Sequence, residues 1–178
     1  MTSTIEEKFL LRSSDVLDNE TTELGPLFED DALVESELIA VRFDVTRATL
    51  GFIFDLRMGL VPDGGNVGVM ICQEVRSFTW KGDPIAGGRT CWTVLDSETA
   101  THPDGYSFRC DTTPGSEAFV TAGKIVFYVG TVEGFDRMPR YTSDSDPVMD
   151  SYRPNWQSMF KTALVSRRGE VITRPLQI

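Results

Sequence analysis

The sequence predicts an all-β protein, built as an antiparallel β-sandwich or a flattened barrel. Short segments of alternating apolar and polar residues recur along the chain, residues typical of turns separate them, and little helical periodicity is visible. With 178 residues and 40% hydrophobic content, the chain can bury one sizeable core and is short for two. We therefore expect one β-rich domain over residues 35–178, with a long irregular crossover and one or two short helices.

Residues 1–34 differ from this domain in composition. They are polar and acidic, with scattered apolar side chains that include Phe9 and Leu10. We expect an N-terminal arm that packs on the core, or attaches loosely to it, through these two residues. Pro26 suits the first position of a short helical turn, because its fixed φ is already helical and its missing N–H is not needed there.

The clearest strand signal is a hairpin over residues 36–58. One face of each strand is apolar, and a loop at residues 46–49 would place Phe43 opposite Phe52 and Val41 opposite Phe54. The apolar positions are Ile39, Val41, Phe43 and Val45 on the first strand, and Leu50, Phe52, Phe54, Leu56 and Met58 on the second.

The opposite face of this hairpin is mixed and charged. In the predicted register Arg42 lies diagonal to Asp55, close enough for an ion pair between the strands. Exposed ion pairs are common and weak, so we interpret this one as a solvated contact and not as a catalytic dyad.

Further strands are predicted by alternation and by β-branched and aromatic content. The segment at 66–80 begins apolar on both faces and then turns polar, which indicates a doubly covered half followed by a bulge. The longest apolar run lies within 118–132 and predicts a buried central strand. The other strands are expected at 90–95, 106–112 and 158–165, with an extended tail after 171.

Charge and targeting signals narrow the function classes. The 27 acidic and 17 basic residues give a net charge of −10, which argues against nucleic acid as a partner and is compatible with a basic protein. The N-terminus does not match a secretory signal, and no apolar run reaches the roughly 20 residues needed to cross a bilayer. We expect a cytoplasmic protein that does not engage a membrane.

Metal and cofactor chemistry finds little support in the sequence. Cys72, Cys91, Cys110 and His102 carry zinc-binding atoms, but the cysteines stand singly in strand-like segments and not in closely spaced pairs. We expect the three cysteines to be reduced and buried. An acidic turn at residues 143–150 departs from the EF-hand pattern. We assign no metal and no cofactor.

Catalytic motifs are also lacking. No serine occupies a G-x-S-x-G elbow, and the glycine runs match neither a phosphate loop nor a dinucleotide fingerprint. A pair of carboxylates suited to glycoside hydrolysis stays open, since the sequence cannot say which acidic residues converge. The sequence does not decide whether the protein is an enzyme, but it favours a protein that is not one.

The most distinctive candidate for a binding site is the irregular segment 133–156. Long loops without a pattern are often functional, and aromatic, Met and Arg residues are enriched at protein interfaces. The other interpretation is that the segment covers an open end of the β-structure. The predicted binding residues are Phe135, Asp136, Arg140, Tyr141, Asp144, Asp146, Tyr152 and Trp156.

These observations favour an acidic binding protein that is not an enzyme and recognises another protein through its loops, and the charge is compatible with a basic partner. A toxin-neutralising protein of the immunity type would have this size and acidity. The alternative is a domain that binds or processes a small molecule or carbohydrate, with a pocket near Trp80 and Trp92, which flank a predicted loop. A structural subunit that associates through exposed strand edges is a third possibility, and the oligomeric state is open.

Overall fold

The computed structural model of the chain describes residues 2–11, 21–59, 64–82, 92–135 and 153–169. Within these ranges there are nine strands and one short helix, which confirms the all-β prediction. In chain order they are β1 (Thr2–Thr4), α1 (Ile5–Leu10), β2 (Thr21–Thr22), β3 (Glu37–Asp44), β4 (Thr49–Asp55), β5 (Val67–Gly82), β6 (Trp92–His102), β7 (Gly105–Thr113), β8 (Ser116–Val132) and β9 (Met159–Arg168).

The strands pair into a closed ring. In the order β8, β5, β4, β3, β6 and β7, each strand lies antiparallel to the next, and β7 pairs back with β8. Strand β8 is long enough to pair with β7 along its first half and with β9 along its second half. Strands β1 and β2 pair with β9 outside the ring, β2 being parallel to it. Of the two predicted architectures, a sandwich and a flattened barrel, the barrel agrees with this ring of paired strands.

The ring closes through a short seam between β3 and β6. Within the described ranges, only Glu37 and Leu38 of β3 pair with β6, opposite Thr93 and Trp92. A register shift between Leu38 and Ala40 marks the point where β3 turns away. Beyond it, residues 39–44 keep β4 on one side and have no strand on the other in the part of the chain that the structure describes. Among the described residues, the pairing of β3 with β6 is therefore the shortest in the ring.

The hairpin of β3 and β4 forms as predicted, but its register is shifted by two residues. Phe43 lies opposite Leu50 and Val41 opposite Phe52, because the turn occupies residues 45–48 and not 46–49. A shift of two residues by itself leaves the faces unchanged, so the alternation of apolar residues does not distinguish the two registers. The bulge between Leu38 and Ala40 does change them: Leu38 lies in the first core and Ile39 packs against the second, so the predicted face of Ile39 is wrong.

The turn itself explains the shift. The Asp44 carboxylate accepts hydrogen bonds from the backbone N–H groups of Thr46 and Arg47, at 2.9 and 3.3 Å. Ala48 adopts a positive φ of 46°, which reverses the chain one residue earlier than expected. A short acidic side chain that bonds its own backbone is a common way to begin a turn.

The predicted ion pair between Arg42 and Asp55 is wrong. The observed register places Asp55 opposite Glu37, so that Arg42 lies too far along the hairpin. Arg42 instead contacts Glu6 at 2.6 Å, and Asp55 binds Arg57 at 2.5 Å. The face that carries Asp55 is also not solvated, because every residue of β4 is buried.

Two hydrophobic cores lie on either side of the strands. The first fills the ring, where the Phe52 and Phe108 rings are 5.8 Å apart. The second lies between α1 and the outer faces of β4, β5 and β8, and it includes Ile5 and Phe9. Phe9 is buried as predicted, whereas Leu10 is 44% exposed, so its expected core contact is wrong.

Two further expectations are confirmed, and the expectation of free, buried cysteines is confirmed for the two that the structure describes. Strand β5 is buried on both faces over its first residues and then carries a bulge between Val75 and Ser77. Strand β8 contains the buried run at residues 125–130. Cys72 and Cys110 are free and buried, while Cys91 lies outside the described residues.

A close approach of strands at Gly130 gives a test of this packing. An alanine Cβ there would lie 2.4 Å from the Lys161 carbonyl oxygen and 2.7 Å from the Phe160 ring. We expect Gly130→Ala to destabilise the protein by about 1–3 kcal/mol, because the nearer neighbour is backbone and yields little. Chemical denaturation followed by circular dichroism measures the change.

Gly115→Ala is the matched control, since no atom lies within 4 Å of the added methyl group. We expect it to stay within about 0.5 kcal/mol of the parent. Equal effects of the two substitutions would contradict the strand spacing described here.

Candidate functional site

The short closure between β3 and β6 leaves an apolar cleft of about 300 Å³, which we call the seam cleft. This volume is at the lower end of the range for ligand pockets, and the mouths of β-barrels often bind ligands. The lining residues are Leu38, Ile39, Ala40 and Val41 of β3, Phe78 and Trp80 of β5, and Trp92 of β6.

The two tryptophans of the predicted alternative pocket meet in this cleft. The Trp80 and Trp92 rings are 5.4 Å apart at an interplanar angle of 86°, an edge-to-face arrangement that aromatic rings favour. Trp80 is 38% exposed, and Trp92 is partly buried against the first core. The indole edges therefore form a wall of the cleft that a ligand can reach.

The bulge in β5 positions this wall. After it, Phe78 and Trp80 lie opposite Val120 and Ala118 of β8, whose side chains are buried in the first core. Phe78 contacts Phe52 edge to face, with 6.1 Å between ring centroids. The floor of the cleft is therefore continuous with the packed interior, which holds the aromatic residues in place.

The apolar surface continues from the cleft along β3. Val41 and Phe43 are 38% and 46% exposed, and Val45 beyond them is 78% exposed. Val41 and Phe43 lie opposite Phe52 and Leu50, which are fully buried, so they belong to the inner face of the ring. Among the described residues, no strand pairs with β3 beside them on the side away from β4. We call Val41, Phe43, Val45 and Trp80 the apolar row.

The chemistry of the cleft suits binding. Its described lining contains apolar and aromatic side chains without an ionisable group. What it offers a ligand is contact area, together with the main-chain N–H and C=O groups of residues 39–41, which meet no second strand among the described residues. Apolar area with a few directional polar groups is the usual composition of a binding pocket.

The segment 133–156 is described only at its ends. Phe135 is 8% exposed and packs in the second core, with the Arg57 guanidinium 5.4 Å from its ring. Trp156 packs against Phe9 at 5.4 Å and covers Gly51. These two predicted binding residues are thus packing anchors for the outer layer. The other six lie outside the described residues: Asp136, Arg140, Tyr141, Asp144, Asp146 and Tyr152.

A buried carboxylate adjoins the seam. Glu37 is 7% exposed, and its Oε1 accepts a hydrogen bond of 2.8 Å from the Thr93 hydroxyl. Its Oε2 has no hydrogen-bond partner within the part of the chain described. Burial raises the pKa of Glu37, and the nearby Asp55 carboxylate raises it further, against the opposing effects of the Thr93 hydrogen bond and the Arg153 charge.

Glu37 and Asp55 are a pair that sequence reasoning missed. Glu37 lies opposite Asp55 in the observed register of β3 and β4. The predicted register had instead placed Arg42 near Asp55. Both side chains are almost fully shielded, and Asp55 is bound by Arg57. We interpret the pair as structural, since a substrate has no route to it through the described surface.

The fold and the cleft together define a small antiparallel β-barrel with an aromatic cleft at its seam. No protein-family model matches the chain, and comparison with the curated proteins and with the solved structures finds no match. Among the described residues, no three His, Cys, Asp or Glu side chains are grouped to hold a metal ion. No helix in these ranges has the length and apolarity to cross a bilayer.

The environment of Glu37 predicts an unusual pH dependence. Its pKa is raised in the folded state, so folding disfavours the charged form. The free-energy cost of burying the charged Glu37 carboxylate is absent below the pKa of Glu37 in the unfolded chain, near 4.3. This cost is complete above the pKa of Glu37 in the folded protein. Glu37→Gln should therefore raise the free energy of unfolding at pH 7 and lose this advantage near pH 4. Urea denaturation at both pH values measures it.

Glu98→Gln serves as the control, because Glu98 is exposed on β6. It should change stability little at either pH. If Glu37→Gln is less stable than the parent at pH 7, the account of this buried acid is wrong.

Proposed function

We propose that this protein is a binding protein, not an enzyme, that recognises another protein through the seam cleft and the apolar row. The observation that carries the proposal is the continuity of the two: a pocket walled by Trp80 and Trp92 opens directly onto exposed Val41 and Phe43. Contiguous exposed apolar area is unusual on a soluble surface and commonly marks an interaction site.

The shape of the surface favours a macromolecular partner. From Leu38 to Phe43 the strand extends about 16 Å, at about 3.3 Å per residue, beyond the length of a single small pocket. Protein interfaces also draw most of their affinity from aromatic residues next to pockets, and Trp80 has that position. A partner would insert an apolar side chain beside Trp80 and cover Val41 and Phe43.

The charge of the chain supports a basic partner. A net charge of −10 attracts a cationic protein at long range and accelerates the encounter, while the apolar row supplies the contact area. Neutralisation of a basic toxin is one form that this function would take, on the grounds of size and acidity.

A small apolar or carbohydrate ligand in the seam cleft is the second candidate function. The cleft volume and the accessible face of Trp80 favour it. It would change the emission of Trp80 and Trp92 in a Trp156→Phe background, where these are the remaining tryptophans. Under this alternative, sugars or small aromatics alone produce that change, and protein segments do not compete with them.

The proposal predicts which substitutions abolish binding. Peptides selected from a displayed library of random 12-residue sequences should bind the parent protein. Trp80→Ala and Val41→Lys should each weaken them by about tenfold or more, because one removes an anchor and the other places a charge in the apolar row. Fluorescence anisotropy with labelled peptides measures the dissociation constants.

Met159→Lys is the matched control, since Met159 is 57% exposed and lies on β9, outside the ring. It should leave the affinity unchanged, and circular dichroism should show all three variants folded. Peptides that bind equally to the parent and to both row variants would refute the assignment of this surface.

A further inference from the structure

We propose that the seam between β3 and β6 is a pH-sensitive latch, which closes when Glu37 is protonated and loosens when Glu37 is charged. Three strands meet at this residue, because Glu37 lies opposite Asp55 of β4 and opposite Thr93 of β6. The inference goes beyond the proposed function, since it concerns the seam itself and holds whatever the cleft binds.

The hydrogen bonds of the seam surround Glu37. Its Oε1 accepts a bond of 2.8 Å from the Thr93 hydroxyl on β6. The Val94 N–H donates to the Ser36 carbonyl at 2.9 Å, and the Glu35 N–H donates to the Val94 carbonyl at 3.0 Å. A change at the Glu37 side chain therefore acts at the centre of the contacts that join the two sides of the seam.

The groups around Glu37 act on its charge from each neighbouring element. Burial has the largest effect and raises the pKa of Glu37. Asp55, opposite on β4, repels the charged form, although Arg57 binds the Asp55 carboxylate at 2.5 Å. Arg153, which precedes β9, attracts the charged form, and on β6 the uncharged Thr93 hydroxyl donates to it. The net result is a carboxyl group whose ionisation is unfavourable while the seam is closed.

The charged form also lacks a full set of hydrogen bonds. Glu37 is 7% exposed, and its Oε2 has no hydrogen-bond partner among the described residues. An ionised carboxylate accepts hydrogen bonds on both oxygens, and a buried acceptor without a partner costs free energy. Protonation lowers this cost because it removes the charge. Opening of the seam lowers it because water then reaches Oε2.

The backbone on either side of Glu37 favours a local opening. Glu35 has a positive φ of 65°, a conformation that residues other than glycine adopt infrequently. On the other side, a register shift between Leu38 and Ala40 disrupts the ladder to β4. Residues in such conformations stay there only while neighbouring contacts hold them. We therefore expect the bonds of residues 35–37 to β6 to open before the rest of the ring.

The latch adjoins the seam cleft. Leu38 and Trp92 form the next pair along the seam, and both line the cleft. The Trp92 ring also contacts the Trp80 ring, with 5.4 Å between centroids. Loosening at Glu37 therefore reaches one wall of the cleft directly, and pH regulates how firmly that wall is held.

The direction of the pH effect follows from the raised pKa of Glu37. Below its pKa in the opened seam, about 4.3, Glu37 is neutral in both states and pH has no effect on opening. Between that value and the raised pKa of the closed seam, each pH unit favours opening about tenfold. Above the raised pKa the effect is complete. The closed seam is thus most stable in acid and loosens as the pH rises.

Amide hydrogen exchange followed by NMR between about pH 4 and pH 8 tests the latch. The amides of Val94 and Glu35 report opening of the seam, and that of Phe127, whose strand is paired on both sides, reports unfolding of the core. Protection factors remove the intrinsic pH dependence of exchange. We expect the seam amides to be less protected than Phe127 and to lose about tenfold in protection per pH unit over part of this range.

Glu37→Gln should make the protection of the seam amides independent of pH, because glutamine does not ionise. Glu98→Gln, on the exposed surface of β6, is the matched control and should keep the profile of the parent. A second measurement needs no variant: the ¹³C shift of the Glu37 carboxyl carbon, titrated in the folded parent, should give a pKa above the ordinary value of about 4.3.

Four results would overturn the proposal. If Val94 and Glu35 are as protected as Phe127, the seam opens only with the whole fold. If their protection does not change with pH in the parent, Glu37 does not control opening. If Glu37→Gln keeps the pH dependence of the parent, another group controls it. A pKa of Glu37 at or below about 4.3 in the folded protein would remove the cause of the effect. Each of these failures leaves the proposed function to its own binding test.

Discussion

The short hydrogen-bond ladder that the described residues form between β3 and β6 lies beside most of the features that distinguish this protein. Six strands close a ring, and closure normally removes the strand edges that invite association. Among the described residues, only Glu37 and Leu38 of β3 pair with β6. Residues 39–44 meet no second strand in the described ranges, and the seam cleft lies beside residues 39–41. The apolar cleft is thus found where the described pairing of the ring is shortest.

The outer layer keeps this open strand in place. Helix α1 and Trp156 cover the face of the ring opposite the cleft, and Gly51 allows Trp156 and Phe9 to approach the strand closely. Arg42 ties β3 to this layer through Glu6 and the two aromatic rings. The strand is therefore held both through its pairing with β4 and through contacts of its outer face.

Local sequence patterns predicted most of the strands of this fold. They did not predict the contacts between residues that are distant in the sequence. Alternation located the strands, and the change from apolar to polar faces located the bulge in β5. Helix α1 was missed although its capping box, Thr4 with Glu7, is readable in the sequence. The pairs of Arg42 with Glu6 and of Glu37 with Asp55 depend on register and on closure of the ring, which alternation does not determine. Trp80 and Trp92 were suspected because they flank a loop, but only the paired strands bring their rings together.

Amide hydrogen exchange along β3, followed by NMR, tests the central claim most directly. An edge strand bonded on one side should show alternate protection over residues 39–44, with slow amides facing β4 and fast amides facing outward. The flanking strands β4 and β5, which are paired on both sides over residues 50–55 and 67–72, should be protected continuously. Uniform slow exchange over residues 39–44 would show that the edge is covered and would contradict the account.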